Sequence, residues 1–166
     1  MPRIASRALL LIAAMLLPAY GFTEDALPKG KDYPAAPLYT GKPAASVDYS
    51  DDFTNIYRTR FTEALTFPVV FAGEYSTTSW GCGLACTETA FINKRTGRAL
   101  NLSFKSYSIR EGVKVPFGAE IVYMKQDSNL LVTYGSGEEG DKPAYDYYAL
   151  KEGELSLIKH VDIQGE

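Results

Sequence analysis

The sequence predicts an α+β domain, mainly an antiparallel β-sheet with one N-terminal amphipathic helix. Three observations carry this. Apolar residues recur at helical spacing only between Ser50 and Thr66. After Pro68 the chain breaks into short segments rich in β-branched and aromatic residues, the composition of half-buried strands. Brief turn sequences separate those segments, too short for anything but hairpins between most neighbours.

Taken in order, the first element is a secretory signal. Arg3 and Arg7 precede an apolar run from Ala8 to Leu17, and after Pro18 the small residues Ala19 and Gly21 fit a signal-peptidase site. A run of about ten residues is half of the roughly 20 that span a bilayer, so residues 1–21 are expected to be removed and to leave no membrane anchor. Cleavage leaves 145 residues and, with two arginines lost and no acid, moves the formal charge from −3 to −5. That length makes one domain with an ordinary core. The acidic balance argues against nucleic acid, which requires clustered Lys and Arg. The implied location is periplasmic or secreted.

Residues 22–48 hold Pro28, Pro34, Pro37 and Pro43, spaced too closely for a helix or a central strand. They read as a linker or an extended arm lying on the domain of residues 49–166. Ser50, Asp51 and Asp52 offer capping oxygens and negative charge to a helix N-terminus. Phe53, Ile56, Tyr57, Phe61, Ala64 and Leu65 then form its apolar face, and the helix ends before Pro68. Strands are expected over Val69–Ser79, Thr87–Asn93, Arg98–Phe104, Glu120–Lys125, Asn129–Tyr134, Tyr145–Lys151 and Glu154–Lys159. Lys94–Gly97, Asp127–Asn129 and Glu152–Gly153 supply the hairpin turns.

Trp80-Gly81-Cys82-Gly83-Leu84-Ala85-Cys86 is the segment richest in chemistry. Two cysteines in an exported chain are expected to be oxidised, and the flanking glycines allow the tight turn that a three-residue spacer needs. Cys82 and Cys86 therefore form one disulfide, either a plain hairpin staple or the lock of a binding loop made by Trp80, Gly81, Gly83, Leu84 and Ala85. Trp80 is either an interface anchor or part of the core. A thiol oxidoreductase favours C-x-x-C at a helix N-terminus, and here the spacing is longer and both flanks are strands. No cofactor is expected. Nor is a metal, since His160 is the sole histidine and there is no third cysteine.

Other candidate sites are weaker. Gly135-Ser136-Gly137-Glu138-Glu139-Gly140 fits G-x-G-x-x-G, but no helix follows and two glutamates would repel a pyrophosphate, so an acidic solvent loop is expected. Ser156 and Lys159 fit S-x-x-K, which needs both groups on one face, and strand alternation is expected to send them to opposite faces. His160 is the only imidazole available as a base and reads as a solvated residue. Glu74 and Glu88 flank the cysteine loop and are the pair a carboxylate-based hydrolase would use.

Phe71-Ala72-Gly73-Glu74-Tyr75, the W-G-C-G-x-x-C run and Lys94-Arg95-Thr96-Gly97-Arg98 resemble a family of small exported bacterial proteins to which no function attaches. In that pattern a histidine often stands where this chain has Glu74. The likeness covers most of the mature chain. The order helix, strand, C-x-x-x-C loop and hairpin, over Ser50 to Phe104, is also similar to the Ivy-type periplasmic lysozyme inhibitors. Their short disulfide loop enters the enzyme's cleft and carries a His and an Asp between its cysteines, where Gly83, Leu84 and Ala85 stand here. This resemblance implies a binding protein, an inhibitor or immunity-type protein, with a protein partner in the cell envelope. A secreted enzyme, hydrolase or oxidoreductase, is the alternative.

Overall fold

The computed structural model describes residues 26–107, 117–137 and 142–163. The signal segment and the acidic residues Glu138 to Asp141 lie outside the described residues. The domain is mainly antiparallel β with two short helices, α1 (Asp52–Ile56) and α2 (Arg58–Ala64). Asp51 caps α1, accepting from the Thr54 N–H at 2.8 Å, which is the capping chemistry its position predicts. The expected single helix is interrupted at Tyr57, whose φ of −101° and ψ of 22° leave the helical region. There Arg58 donates locally to the Asn55 carbonyl and the Tyr57 ring stacks on Trp80, at a break in a segment whose apolar periodicity is continuous.

Among the described residues seven strands follow: β1 (Tyr75–Gly83), β2 (Cys86–Asn93), β3 (Phe104–Tyr107), β4 (Glu120–Tyr123), β5 (Leu130–Gly135), β6 (Ala144–Lys151) and β7 (Glu154–Asp162). They form a three-stranded sheet, β1-β2-β3, and a four-stranded sheet, β4-β5-β6-β7, each in chain order and antiparallel. The sheets meet where Ala119 donates to the Lys105 carbonyl and Tyr107 to that of Phe117. The result is one meander folded over itself.

Two expected strands differ. β1 starts at Tyr75 because Phe71 to Glu74 turn back on themselves: Ala72 (φ 48°) and Gly73 (φ 77°) are left-handed, and Phe71 and Tyr75 exchange backbone hydrogen bonds. A Cβ on Gly73 would sit 2.5 Å from the Ala36 carbonyl oxygen, so glycine is what lets the chain pass there. The stretch Arg98–Phe104 pairs with β2 only at its ends, through Ala99 and Phe104. Between them Asn101 leaves the sheet, donating to the Leu155 carbonyl and accepting from the Leu155 N–H at 2.8 Å. That clasp holds the start of β7 against the first sheet.

Residues 26–48 form an arm on the domain, not a linker. Tyr33, Ala35, Tyr39, Ala44 and Asp48 each make a backbone hydrogen bond to the body. The core has three parts. Phe71, Tyr75, Phe91, Leu100, Phe104, Leu131 and Leu155 pack between the sheets. Phe61, Ala64 and Leu65 seat the helices on Ala90 and Ile92. Leu130, Val132 and Tyr147 lie on the outer face of the second sheet beneath Tyr33 of the arm.

Register also changes one expectation. A bulge between Tyr147 and Tyr148 leaves Ser156 opposite Ala149 and Lys159 opposite Tyr147. Residues 147 and 149 share a face, so the bulge brings Ser156 and Lys159 to the same face instead of opposite ones. That face is the outer one, away from the cleft described below, and Ser156 is exposed on it.

Candidate functional site

The cysteine segment is the tip of the β1–β2 hairpin. Strand pairing runs up to Gly83 opposite Cys86, with an irregularity at Cys82, and Leu84-Ala85 form the turn. Ala85 (φ 57°) and Gly83 (φ 136°) both take positive φ. Cys82 and Cys86 are disulfide-bonded across a Cα separation of 5.1 Å. Gly81, Gly83, Leu84 and Ala85 are exposed and Cys86 is buried. Leu84 is 86% exposed, the most solvent-accessible of the large apolar side chains among the described residues.

Trp80 takes the other part in this arrangement. Its half-buried ring lies flat on Tyr57 at 4.4 Å between centroids and meets Phe61 edge-on at 6.2 Å. Such pairs add about 0.5–1.5 kcal/mol beyond area burial. The indole therefore braces the hairpin on the helices, and the tip's outward apolar group is Leu84 alone.

A cleft of about 1120 Å³ opens between β3 and the inner face of the second sheet. Phe104, Tyr148, Leu155 and Leu157 give it an apolar floor, and Lys105, Lys142, Asp146, His160 and Asp162 bring charge to its walls. β2 and β7 place this charged part at the same end of the meander as the disulfide tip, since Cys86 and Asp162 both lie at the end opposite Asn93 and Glu154.

His160 is not a plain solvated residue. It lies opposite Asp146 on β6, with Nδ1 2.5 Å from an Asp146 oxygen and Nε2 3.0 Å from an Asp162 oxygen. Hydrogen bonding to Asp146 first, then to Asp162, raises its pKa above the usual imidazole value. Each ring nitrogen already has a carboxylate partner, so neither is free to act as a general base on a ligand in the cleft. Asp162, two residues along the same strand face, is visible as a pattern in the sequence, whereas Asp146 is brought in only by the β6–β7 register.

The carboxylate pair is not assembled. Glu88 stands opposite Trp80 and accepts from the Ser103 hydroxyl at 2.6 Å. Glu74 precedes Tyr75 at the other end of β1 and binds Arg95 at 2.9 Å and Asn93 at 2.8 Å. Five strand residues lie between these positions, six steps or about 20 Å along the strand, well beyond the roughly 5–9.5 Å of a glycosidase pair. The disulfide sits at a hairpin tip, with no helix N-terminus to lower a thiol pKa. Among the described residues no three His, Cys, Asp or Glu side chains are arranged to hold a metal ion, and no helix is long and apolar enough to cross a membrane.

Compared with family profiles, with characterised proteins and with solved structures, the chain has no match.

Proposed function

We propose that this chain is an exported periplasmic binding protein, an inhibitor or immunity-type protein that seats its Cys82–Cys86 hairpin in the cleft of a cell-envelope enzyme, with a peptidoglycan hydrolase as first candidate. The observation that carries this reading is the 86% exposure of Leu84 at the tip of a turn closed by a disulfide. An apolar side chain held in that position loses little conformational freedom on binding. The Trp80 stack on Tyr57 supports the same purpose from below, because it fixes the direction in which the hairpin projects. The formal charge of −5 after signal removal favours encounter with a basic enzyme, an attraction that weakens with salt.

The experiment is an inhibition assay on purified muramidases, lysozyme included, with the wild type, Leu84→Asp and the reduced, alkylated protein. The wild type inhibits, and Leu84→Asp is weaker by about 30-fold or more, the equivalent of losing roughly 2 kcal/mol of Leu burial plus the cost of desolvating a charge. Inhibition indifferent to Leu84, or none from any form, removes the hairpin from the mechanism.

A further inference from the structure

The outer edge of β7 is an unpaired sheet edge among the described residues, separate from the hairpin. β7 ends its sheet, and its first residues are pinned through the Asn101 clasp on Leu155. The bulge then resets the register. Beyond it the Ile163 N–H donates to the Pro143 carbonyl, so Ile163 turns its backbone toward β6. In an antiparallel ladder the direction alternates residue by residue. The backbone N–H and C=O of His160 and of Asp162 therefore point away from β6, and among the described residues no strand pairs with them.

The side chains beside this free backbone line the cleft: Leu157 is 54% exposed, and the Asp162 side chain is 61% exposed. Two carboxylates beside one imidazole leave that corner with a net negative charge whether or not the ring is protonated. Lys105 and Lys142 stand on the same walls, yet among the described residues neither pairs with Asp146 or Asp162, whose ion-pair partner is His160. Directly opposed residues in antiparallel strands share a face, with Cβ atoms about 5 Å apart. A residue hydrogen-bonded to Asp162 from an added strand would thus lay its side chain beside the Asp162 carboxylate.

We propose that this edge accepts an extended, basic peptide segment of a partner protein as an additional antiparallel strand, with a Lys or Arg side chain against Asp162 and Asp146 and an apolar side chain over Leu157. The main chain of the peptide supplies affinity and the alternate side chains supply selectivity, as in other strand-addition complexes. The bulge confines regular pairing to the part of β7 after Ile158, with Leu157 flanking the end of the bound segment, which protects the edge from indiscriminate association and keeps that segment short.

The test uses fluorescence anisotropy with the mature protein and labelled octapeptides of alternating threonine and valine that carry a central lysine, norleucine or glutamate. Two further lysine peptides are N-methylated on one or the other alternating set of backbone nitrogens. The lysine peptide binds, the glutamate peptide binds at least about tenfold more weakly, and one N-methylated form loses binding by a similar factor. Asp162→Asn lowers affinity for the lysine peptide to that for norleucine, while Leu84→Asp leaves it unchanged, which separates this surface from the hairpin. No binding of any peptide overturns the proposal, as does binding insensitive to both N-methylation and charge. Concentration-dependent self-association that excludes the lysine peptide and is abolished by Leu157→Lys overturns it in favour of a second copy of the chain.

Discussion

Thr54 joins helix α1 to the sheet through a single hydroxyl, and its replacement tests how the fold is held. Its side chain is fully buried. The hydroxyl donates to Asp51 at 2.7 Å and accepts from the Ala99 N–H at 2.9 Å. Thr54→Val keeps the shape and removes the oxygen, leaving the Ala99 N–H without a partner where the residue is 7% exposed. An orphaned buried donor costs about 1–3 kcal/mol, and the lost bond to a carboxylate about 1.5 kcal/mol, so a loss near 3 kcal/mol is expected. Thr54→Ser keeps both bonds and loses one methyl, about 1 kcal/mol. With a urea slope of about 2 kcal/mol/M, the unfolding midpoint falls by roughly 1.5 M for valine and 0.5 M for serine. A valine variant as stable as the serine one would refute the reasoning, because volume and not the hydroxyl would then be what the site needs.

Other perturbations follow from the same structure. Replacing both cysteines by serine should cost ~2 kcal/mol in the chain-entropy account of so small a loop, and native protein should resist alkylation until reduced; free thiols at isolation would contradict the disulfide. Gly73→Ala, which combines a φ of 77° with a Cβ 2.5 Å from the Ala36 carbonyl, should lower stability by about 2 kcal/mol and expose residues 34–43 to limited proteolysis. An unchanged digest would show that the arm is not anchored there. His160, its pKa raised by Asp146 and Asp162, contributes stability that is full below the unfolded value of about 6.5 and is lost as pH climbs through the folded value. With the imidazole half-exposed, that contribution stays below about 1 kcal/mol. NMR titration should find His160 above the free imidazole value and Asp146→Asn should bring it down; a wild-type value at or below that of free histidine rejects the clamp.

Local chemistry explains which elements were legible in the sequence. The turns at Asp127–Asn129 and Glu152–Gly153 carry their own geometry, with Glu152 and Gly153 both at positive φ, so the β4–β5 and β6–β7 hairpins follow from residues adjacent in the chain. The Asp51 cap and the disulfide pairing are local for the same reason. Everything that depends on register across strands was hidden. Ser156 and Lys159 share a face only because of a bulge, and Asp146 meets His160 only through β6–β7 pairing. Asn101 leaves the expected third strand for two hydrogen bonds to a residue 54 positions away. Glu74 and Glu88 looked equivalent beside the cysteine loop, and the length of the hairpin separates them.

The arm distinguishes the two ends of the meander. Its contacts fall on the turns at one end: Ala35 donates to the Asp127 carbonyl, Asn129 to Tyr33, Tyr39 to Gly73, Ala44 to Lys94 and Asp48 to Gly97. Arg95, in one of those turns, lies over the Tyr39 ring at 4.5 Å from its centroid, and the Asn101 clasp on Leu155 is at the same end. A chain segment too rich in proline to form regular structure thus ties together connections from both sheets, where fraying of a small β domain would otherwise begin. The opposite end carries the disulfide tip, the charged walls of the cleft and the free edge of β7. Because the hairpin and β7 are each rooted in the tied end, strengthening the arm should raise stability without altering the geometry of the hairpin tip or of the β7 edge.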